Sequence, residues 1–208
     1  MTTLRCILAI ATARGWPLFQ LDVDNAFLHG VLEEEVYIKL PLGFYDSEKR
    51  SVKVFHLHKS IYGLKQASRQ WFSRFSDALT SYGFVQSATD PSLFILRKAD
   101  SFTILLVYVD DVVITGTSST IITDIKNFIH EEFRIKDLGH LKFFLGLEMV
   151  RSDSGLHLNQ RKYALDLLRD NNLLDCKPSQ TPMEIKHRLE LSTAAVLGDP
   201  LPYRQNEL

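Results

Sequence analysis

Apolar residues recur along this chain at two spacings, and the spacing switches often. Leu4, Ile7, Leu8 and Ala11 fall three and four apart, which predicts an amphipathic helix at the start. Trp16-Pro17 breaks that helix, and a short strand from Leu18 to Val23 follows. Asn25 to Gly30 reads as a turn or short helical segment closed by Gly30. Val36 to Leu40 and Val52 to His58 alternate as strands, joined through Pro41, Gly43 and the charged stretch Asp46 to Arg50. Ser60 to Lys65 is a loop around Gly63. Trp71, Phe72, Phe75, Leu79 and Tyr82 then place a helix over Gln66 to Tyr82, stopped at Gly83.

Leu93 to Arg97 and Phe102 to Val109 read as two strands joined by a turn at Ala99-Asp100-Ser101. The second is apolar almost throughout, as a central strand covered on both faces would be. Val112 to Thr115 is a further strand, with Asp110-Asp111 lying before it. Thr117 to Ser119 caps a helix carrying Ile121, Ile122, Ile125, Phe128 and Ile129. Leu141 to Val150, a Ser154-Gly155 turn and Leu156 to Leu158 form an expected hairpin. Arg161 to Asn171 is a last helix, with Tyr163, Ala164, Leu167 and Leu168 on one face. Beyond Pro178 the pattern fades, and Glu184 to Leu208 reads as an irregular or severed tail. Strands and helices in mixed order, without βαβ regularity, make the class α+β.

Composition narrows this only slightly. The chain has 208 residues, 45% hydrophobic and 24% charged, which suits one globular domain with a real core. A net charge of −1 lacks the basic excess of a dedicated nucleic-acid binder, so any polynucleotide needs a locally basic groove or further protein around it. Cys6 and Cys176 show no CxxC spacing, which points away from a disulfide framework or zinc site and towards a reducing compartment. Arg5, a short apolar run and Ala11-Thr12-Ala13 invite a signal-peptide reading, but the helical spacing favours a globular helix. No run is long and apolar enough to predict a membrane span.

Candidate chemistry changes the picture more. Two apolar strands each end in aspartate, at Leu21-Asp22-Val23-Asp24 and at Tyr108-Val109-Asp110-Asp111. A carboxylate at the end of a buried strand is costly without a partner, and a divalent cation is one that several carboxylates can share. Oxygen ligands favour Mg²⁺ or Mn²⁺, and two such ions roughly 3.5–4 Å apart support phosphoryl transfer. Either pair alone reads as ordinary turn or helix-cap aspartates. Together they favour a metal site. Asp22-Val23-Asp24 also fits the DxD motif of nucleotide-sugar glycosyltransferases, a weak three-residue match.

Seven blocks then carry a resemblance: LDVDNAFLHG, KSIYGLKQASRQW, DPSLFI, YVDD, KDLGHLKFFLGLEM, LNQRKYALDLL and CKPSQTPM. In this order, from about Thr2 to Met183, they resemble the reverse transcriptase of copia-type retrotransposons. The resemblance implies a right-hand polymerase palm, an antiparallel sheet with helices on one face, and partial fingers over residues 1–183. Residues 184–208 would begin a downstream region. It implies an RNA-directed DNA polymerase that joins a dNTP to a primer 3′-hydroxyl on an RNA or DNA template. Asp22, Asp110 and Asp111 match the family's catalytic aspartates and would hold two Mg²⁺ ions, with Mn²⁺ an alternative.

Phe27 matches the aromatic placed beneath the incoming sugar, where ring bulk excludes a 2′-hydroxyl. Tyr62, Gly63, Lys65 and Gln66 resemble the loop that lines nucleotide and template, and Lys65 or Arg69 would meet phosphate. On bare sequence, Phe27 reads equally as core, and the two cations as solvated. Tyr108 and the Phe144-Leu145-Gly146 hairpin fall on the primer or template side, the latter as a primer grip. Lys136 lies where polymerases carry a lysine able to protonate pyrophosphate. His56 and His58 share a strand face and read as solvated.

Ser68 departs from the proline of the family's QxPR block, which loosens the expected loop geometry. The chain begins about twenty residues before Asp22 and stops at YRQNEL, so fingers, thumb-side and RNase H segments of a parent polyprotein are expected to lie outside it. Two rivals follow: an inactive retroelement fragment, or a weak nucleic-acid-binding module. The expected setting is intracellular, in the cytoplasm or a virus-like particle, without secretion or membrane.

Overall fold

A computed structural model of the protein describes residues 2–41, 54–152 and 155–178. The expected Asp46–Arg50 connection, the strand start at Val52, Ser154, the end of the CKPSQTPM block and the 184–208 tail lie outside the described residues. The elements run α1 Thr2–Ala13, β1 Leu18–Val23, a 3-10 turn Ala26–His29, β2 Val31–Lys39, β3 Val54–Lys59 and α2 Ala67–Tyr82. They continue with β4 Val85–Gln86, β5 Leu93–Lys98, β6 Ser101–Tyr108, β7 Asp111–Gly116, α3 Ser119–Phe133 and β8 Ile135–His140. The last are β9 Phe143–Phe144, β10 Leu147–Ser152, β11 Gly155–Asn159 and α4 Arg161–Asp170. Two compact units result, Met1–Lys142 with Val150–His157, and Phe143–Met149 with Leu158–Leu208.

The first unit is organised by a six-stranded sheet of order β4-β5-β6-β7-β1-β8, with antiparallel pairing throughout. Alternation sends Leu21 and Val23 of β1, Val112 and Ile114 of β7, and Leu105 and Val107 of β6 into one core. Trp71, Phe75 and Leu79 of α2 and Ile122, Ile125 and Ile129 of α3 close the same core, so both helices cover one sheet face. Burying each large side chain there contributes about 1.5–3 kcal/mol. The helices end as their sequences dictate. Ser118 Oγ accepts from the Ile121 amide at 3.4 Å to cap α3, and Gly83 takes the left-handed backbone after α2. Helix α1 buries Leu4, Ile7, Leu8 and Ala11, the four residues its spacing predicts.

Four departures from the sequence pattern have physical reasons. Strand β2 starts at Val31, five residues early, across Glu33-Glu34-Glu35. Its register with β3 shifts between Val31 and Val36, and its side chains are exposed or half-buried, so no alternation marks it. Strand β8 was unexpected because only Ile135 of its six residues is buried; pairing with β1 makes it a strand. Leu141 to Val150 is not one arm of a hairpin. The chain turns at Leu145-Gly146, both with positive φ, and Phe144 pairs with Leu147 across them. Helix α4 forms over Arg161–Asp170, but its apolar face is not buried: Tyr163, Leu167 and Leu168 are 40%, 36% and 39% exposed.

Candidate active site

Strand β1 lies between β7 and β8, and its register decides the site. Asp22 pairs with Asp111 on one side and with Lys136 on the other. Asp111 in turn pairs with Tyr108 across the β6–β7 turn. Tyr108, Asp111, Asp22 and Lys136 therefore form one row across four strands. Paired residues share a face, and these alternate with the core residues Val107, Val112, Leu21 and Ile135. The row thus projects from the face opposite α2 and α3. Asp110 sits in the two-residue turn beside it, where its carbonyl accepts the Val23 amide at 2.9 Å.

The carboxylates have distinct surroundings. Asp111 Oδ1 accepts from the Gln20 side-chain amide at 3.0 Å, and Asp110 Oδ2 accepts from the Tyr62 hydroxyl at 3.2 Å. Partial burial pushes the Asp22 carboxyl above its usual range, and the charges of Asp110, Asp111 and Asp24 push it further. Lys136 works against them. The Tyr62 phenol is also pushed up, first by burial and then by the charge and hydrogen bond of Asp110. Asp22 is thus held among like charges, a setting a divalent cation would relieve. Among the described residues, however, no group of three or more His, Cys, Asp or Glu side chains is arranged to hold a metal ion. The carboxylates form an open row.

Other residues expected at the site divide into three groups. Phe27, on the 3-10 turn after β1, packs its ring 4.3 Å from that of Tyr62, so both reach Asp110's neighbourhood. Gly30, which closes that turn, lies tight against α2, where a Cβ would meet the Trp71 backbone nitrogen at 2.9 Å. The loop residues Gly63 and Lys65 and, in the first turn of α2, Arg69 are exposed, while Gln66 is half-buried, with Gly63 at a φ of 93°. Ser68 and Arg69 line a cleft of about 320 Å³ with Trp71, Phe72 and Val109. Phe144, Leu145 and Gly146 belong to the second unit. There Leu145 and Gly146, at φ 49° and 78°, make a tight turn, and Phe144 is buried. Glu148 of the same unit accepts the Lys162 amide at 3.0 Å.

Two side chains at the site escape sequence reasoning. Gln20 is a buried polar residue on an otherwise apolar strand, two before Asp22, which is its one visible signal. Trp71 reads only as helix core. Its indole nitrogen donates to the Val109 carbonyl at 2.6 Å, inside the turn that carries Asp110.

An antiparallel sheet whose central strands end in a row of carboxylates defines a class compatible with phosphoryl transfer. A profile described as reverse transcriptase (RNA-dependent DNA polymerase) matches residues 1–185, and the chain belongs to that family. It is 43% identical over 203 residues to the retrovirus-related Pol polyprotein from transposon RE1, and 44% identical over 203 residues to that from transposon RE2, both of Arabidopsis thaliana. It is 40% identical over 186 residues to the corresponding polyprotein from transposon TNT 1-94 of Nicotiana tabacum. The matches cover 98%, 98% and 88% of this chain but 14% of each polyprotein. The copia-type resemblance of the sequence blocks is borne out, and the DxD glycosyltransferase reading loses its support. Among the described residues no helix is long and apolar enough to cross a membrane.

Proposed function

We propose that this chain is the palm, with part of the fingers, of an RNA-directed DNA polymerase that adds dNTPs to a primer 3′-hydroxyl on an RNA or DNA template. The observation that carries the reading is the row in which Asp111 and Asp22 are register partners, with Asp110 in the turn beside them. The donors are all hard oxygens and burden one another with like charge, which fits Mg²⁺ or Mn²⁺. Held by Asp22, Asp110 and Asp111, two such ions would supply Lewis-acid activation of the attacking hydroxyl and charge neutralisation at the leaving group.

The chain's own residues account for substrate choice and placement. Phe27, braced by the Tyr62 ring, presents apolar bulk where a 2′-hydroxyl would need both space and a hydrogen bond. Gly63 lets the loop backbone approach nucleotide and template, while exposed Lys65 and Arg69 offer charge to phosphate and Gln66 an amide. Tyr108, exposed at the end of the row, is assigned to primer or template, and within the second unit the tight Phe144-Leu145-Gly146 turn is read as a primer grip. Lys136, the cation of the row, is assigned the proton for departing pyrophosphate. The setting is a retrotransposon polyprotein in the cytoplasm or a virus-like particle.

Primer extension on an RNA template in Mg²⁺ tests this, with flanking polyprotein segments added in a second arm. Asp110→Asn is expected to lower extension by more than the roughly 10–100-fold that losing a hydrogen-bond partner of a metal ligand costs. Extension that survives the change removes the assigned site, and no extension in either arm removes the active-enzyme reading.

A further inference from the structure

The turn that carries Asp110 is built on an unfavourable residue. Val109 is β-branched, yet its φ is 56°, in the left-handed region that L side chains avoid and β-branched ones avoid most. Its side chain is 37% exposed, so burial does little to hold it there. What grips the turn is its backbone. The Trp71 indole donates to the Val109 carbonyl at 2.6 Å, and the Val23 amide donates to the next carbonyl, that of Asp110, at 2.9 Å. The indole is itself held firmly. Trp71 is 1% exposed, and its ring lies 4.9 Å from Phe75 and 5.3 Å from Phe133.

We propose that Trp71 is a positioning residue: its N–H fixes the left-handed Val109 and so aims the Asp110 carboxylate along the row. Two successive carbonyls are then pinned, one by helix α2 and one by strand β1. The consequence for nucleotidyl transfer rests on the function proposed above, but the turn's anchoring does not, and the two separate experimentally.

Amide hydrogen exchange of the full chain reads the anchoring directly. The Val23 amide reports whether the Asp110 carbonyl stays in place, and the Val107 amide, which donates to Ser92 at 2.9 Å, reports the sheet as a whole. Trp71→Phe keeps a ring against Phe75 and Phe133 but removes the donor. It is expected to speed exchange at Val23 by about five- to tenfold, the worth of one hydrogen bond, with Val107 unchanged. In a Val109→Gly background, where the left-handed backbone carries no penalty, the same change is expected to have less than about a twofold effect. If Trp71→Phe does not fold, benzothienylalanine at the same position gives a ring of indole size without the N–H. Equal acceleration at Val23 and Val107, no acceleration at Val23, or the same acceleration in both Val109 backgrounds overturns the proposal. Mn²⁺ binding, followed by water-proton relaxation, is expected to weaken by a similar factor in Trp71→Phe, and unchanged binding in that variant removes the link to Asp110. Asp110→Asn serves as the control: if it leaves Mn²⁺ binding intact, the metal reading fails, while the exchange result still decides the role of Trp71.

Discussion

Strand β6 has a two-residue turn at each end, and the two have the same backbone signature. At one end Lys98 pairs with Ser101 across Ala99-Asp100, and at the other Tyr108 pairs with Asp111 across Val109-Asp110. Each loop opens with a left-handed non-glycine residue, Ala99 at φ 51° and Val109 at 56°, followed by aspartate. Their surroundings differ. Ala99 and Asp100 are exposed, flanked by Arg97 over the Phe102 ring at 5.6 Å. Val109-Asp110 is gripped by Trp71, Val23 and Tyr62. An exposed turn can tolerate a strained residue because little depends on its precise shape. A turn that must aim a carboxylate needs its shape enforced, and here a helix core supplies the enforcement.

The largest contrast should appear when the supports are removed. Trp71→Ala takes away a fully buried ring and should destabilise the chain by about 3–5 kcal/mol. Arg97→Ala removes only an exposed cation–ring contact, worth about 0.5–1 kcal/mol. Urea unfolding of both variants measures the gap. Comparable losses would mean that the two turns are supported alike, and the contrast between them would collapse.

The sequence revealed much of this arrangement and hid a specific part. Helices α1, α2 and α3 follow from their three-to-four spacing, because each spends that face on the core. The aspartates stood out because each follows an apolar strand. Strand β8 did not, since Lys136-Asp137-Leu138-Gly139 has the composition of a loop and becomes a strand only by pairing with β1. That pairing is what sets Lys136 beside Asp22, so the row itself was invisible although all four of its residues were singled out, Asp22 and Asp111 for their chemistry and Tyr108 and Lys136 through the resemblance. Trp71 shows a different limit. Periodicity places a ring in the core but is silent about where its N–H points. Helix α4 forms as read, but its amphipathic pattern in Tyr163, Leu167 and Leu168 does not by itself bring burial.

Titration sharpens the contrast at a smaller scale. The folded chain raises the Asp22 pKa, by burial and then by Asp110, Asp111 and Asp24, so ionising Asp22 opposes folding. Its stabilising contribution is whole below the unfolded value of 3.8 and is lost as pH rises through the folded value. Asp22→Asn should therefore raise the melting temperature at pH 7, with the gain shrinking as pH falls towards 3.8. Asp100→Asn, in the exposed turn, is a surface change worth within about 0.5 kcal/mol. Thermal melts across that range decide it. A neutral-pH gain at Asp22 that persists unchanged in acid would mean that charge is not its source.

The smallest effect tests the strain directly. Glycine adopts a left-handed backbone without the Cβ penalty of about 1–2 kcal/mol, but it also loosens the unfolded chain by about 0.4–1 kcal/mol. For alanine the balance is a small net gain, so Ala99→Gly should stabilise by up to about 1 kcal/mol. Val109 begins from a worse position because it is β-branched, and Val109→Gly should gain more than Ala99→Gly does. The order of the two gains is the informative result. If Val109→Gly destabilises while Ala99→Gly does not, the valine side chain contributes packing that outweighs its backbone cost. The turn at the carboxylate end would then be held partly by its own side chain, and the buttress from Trp71 would be correspondingly less necessary.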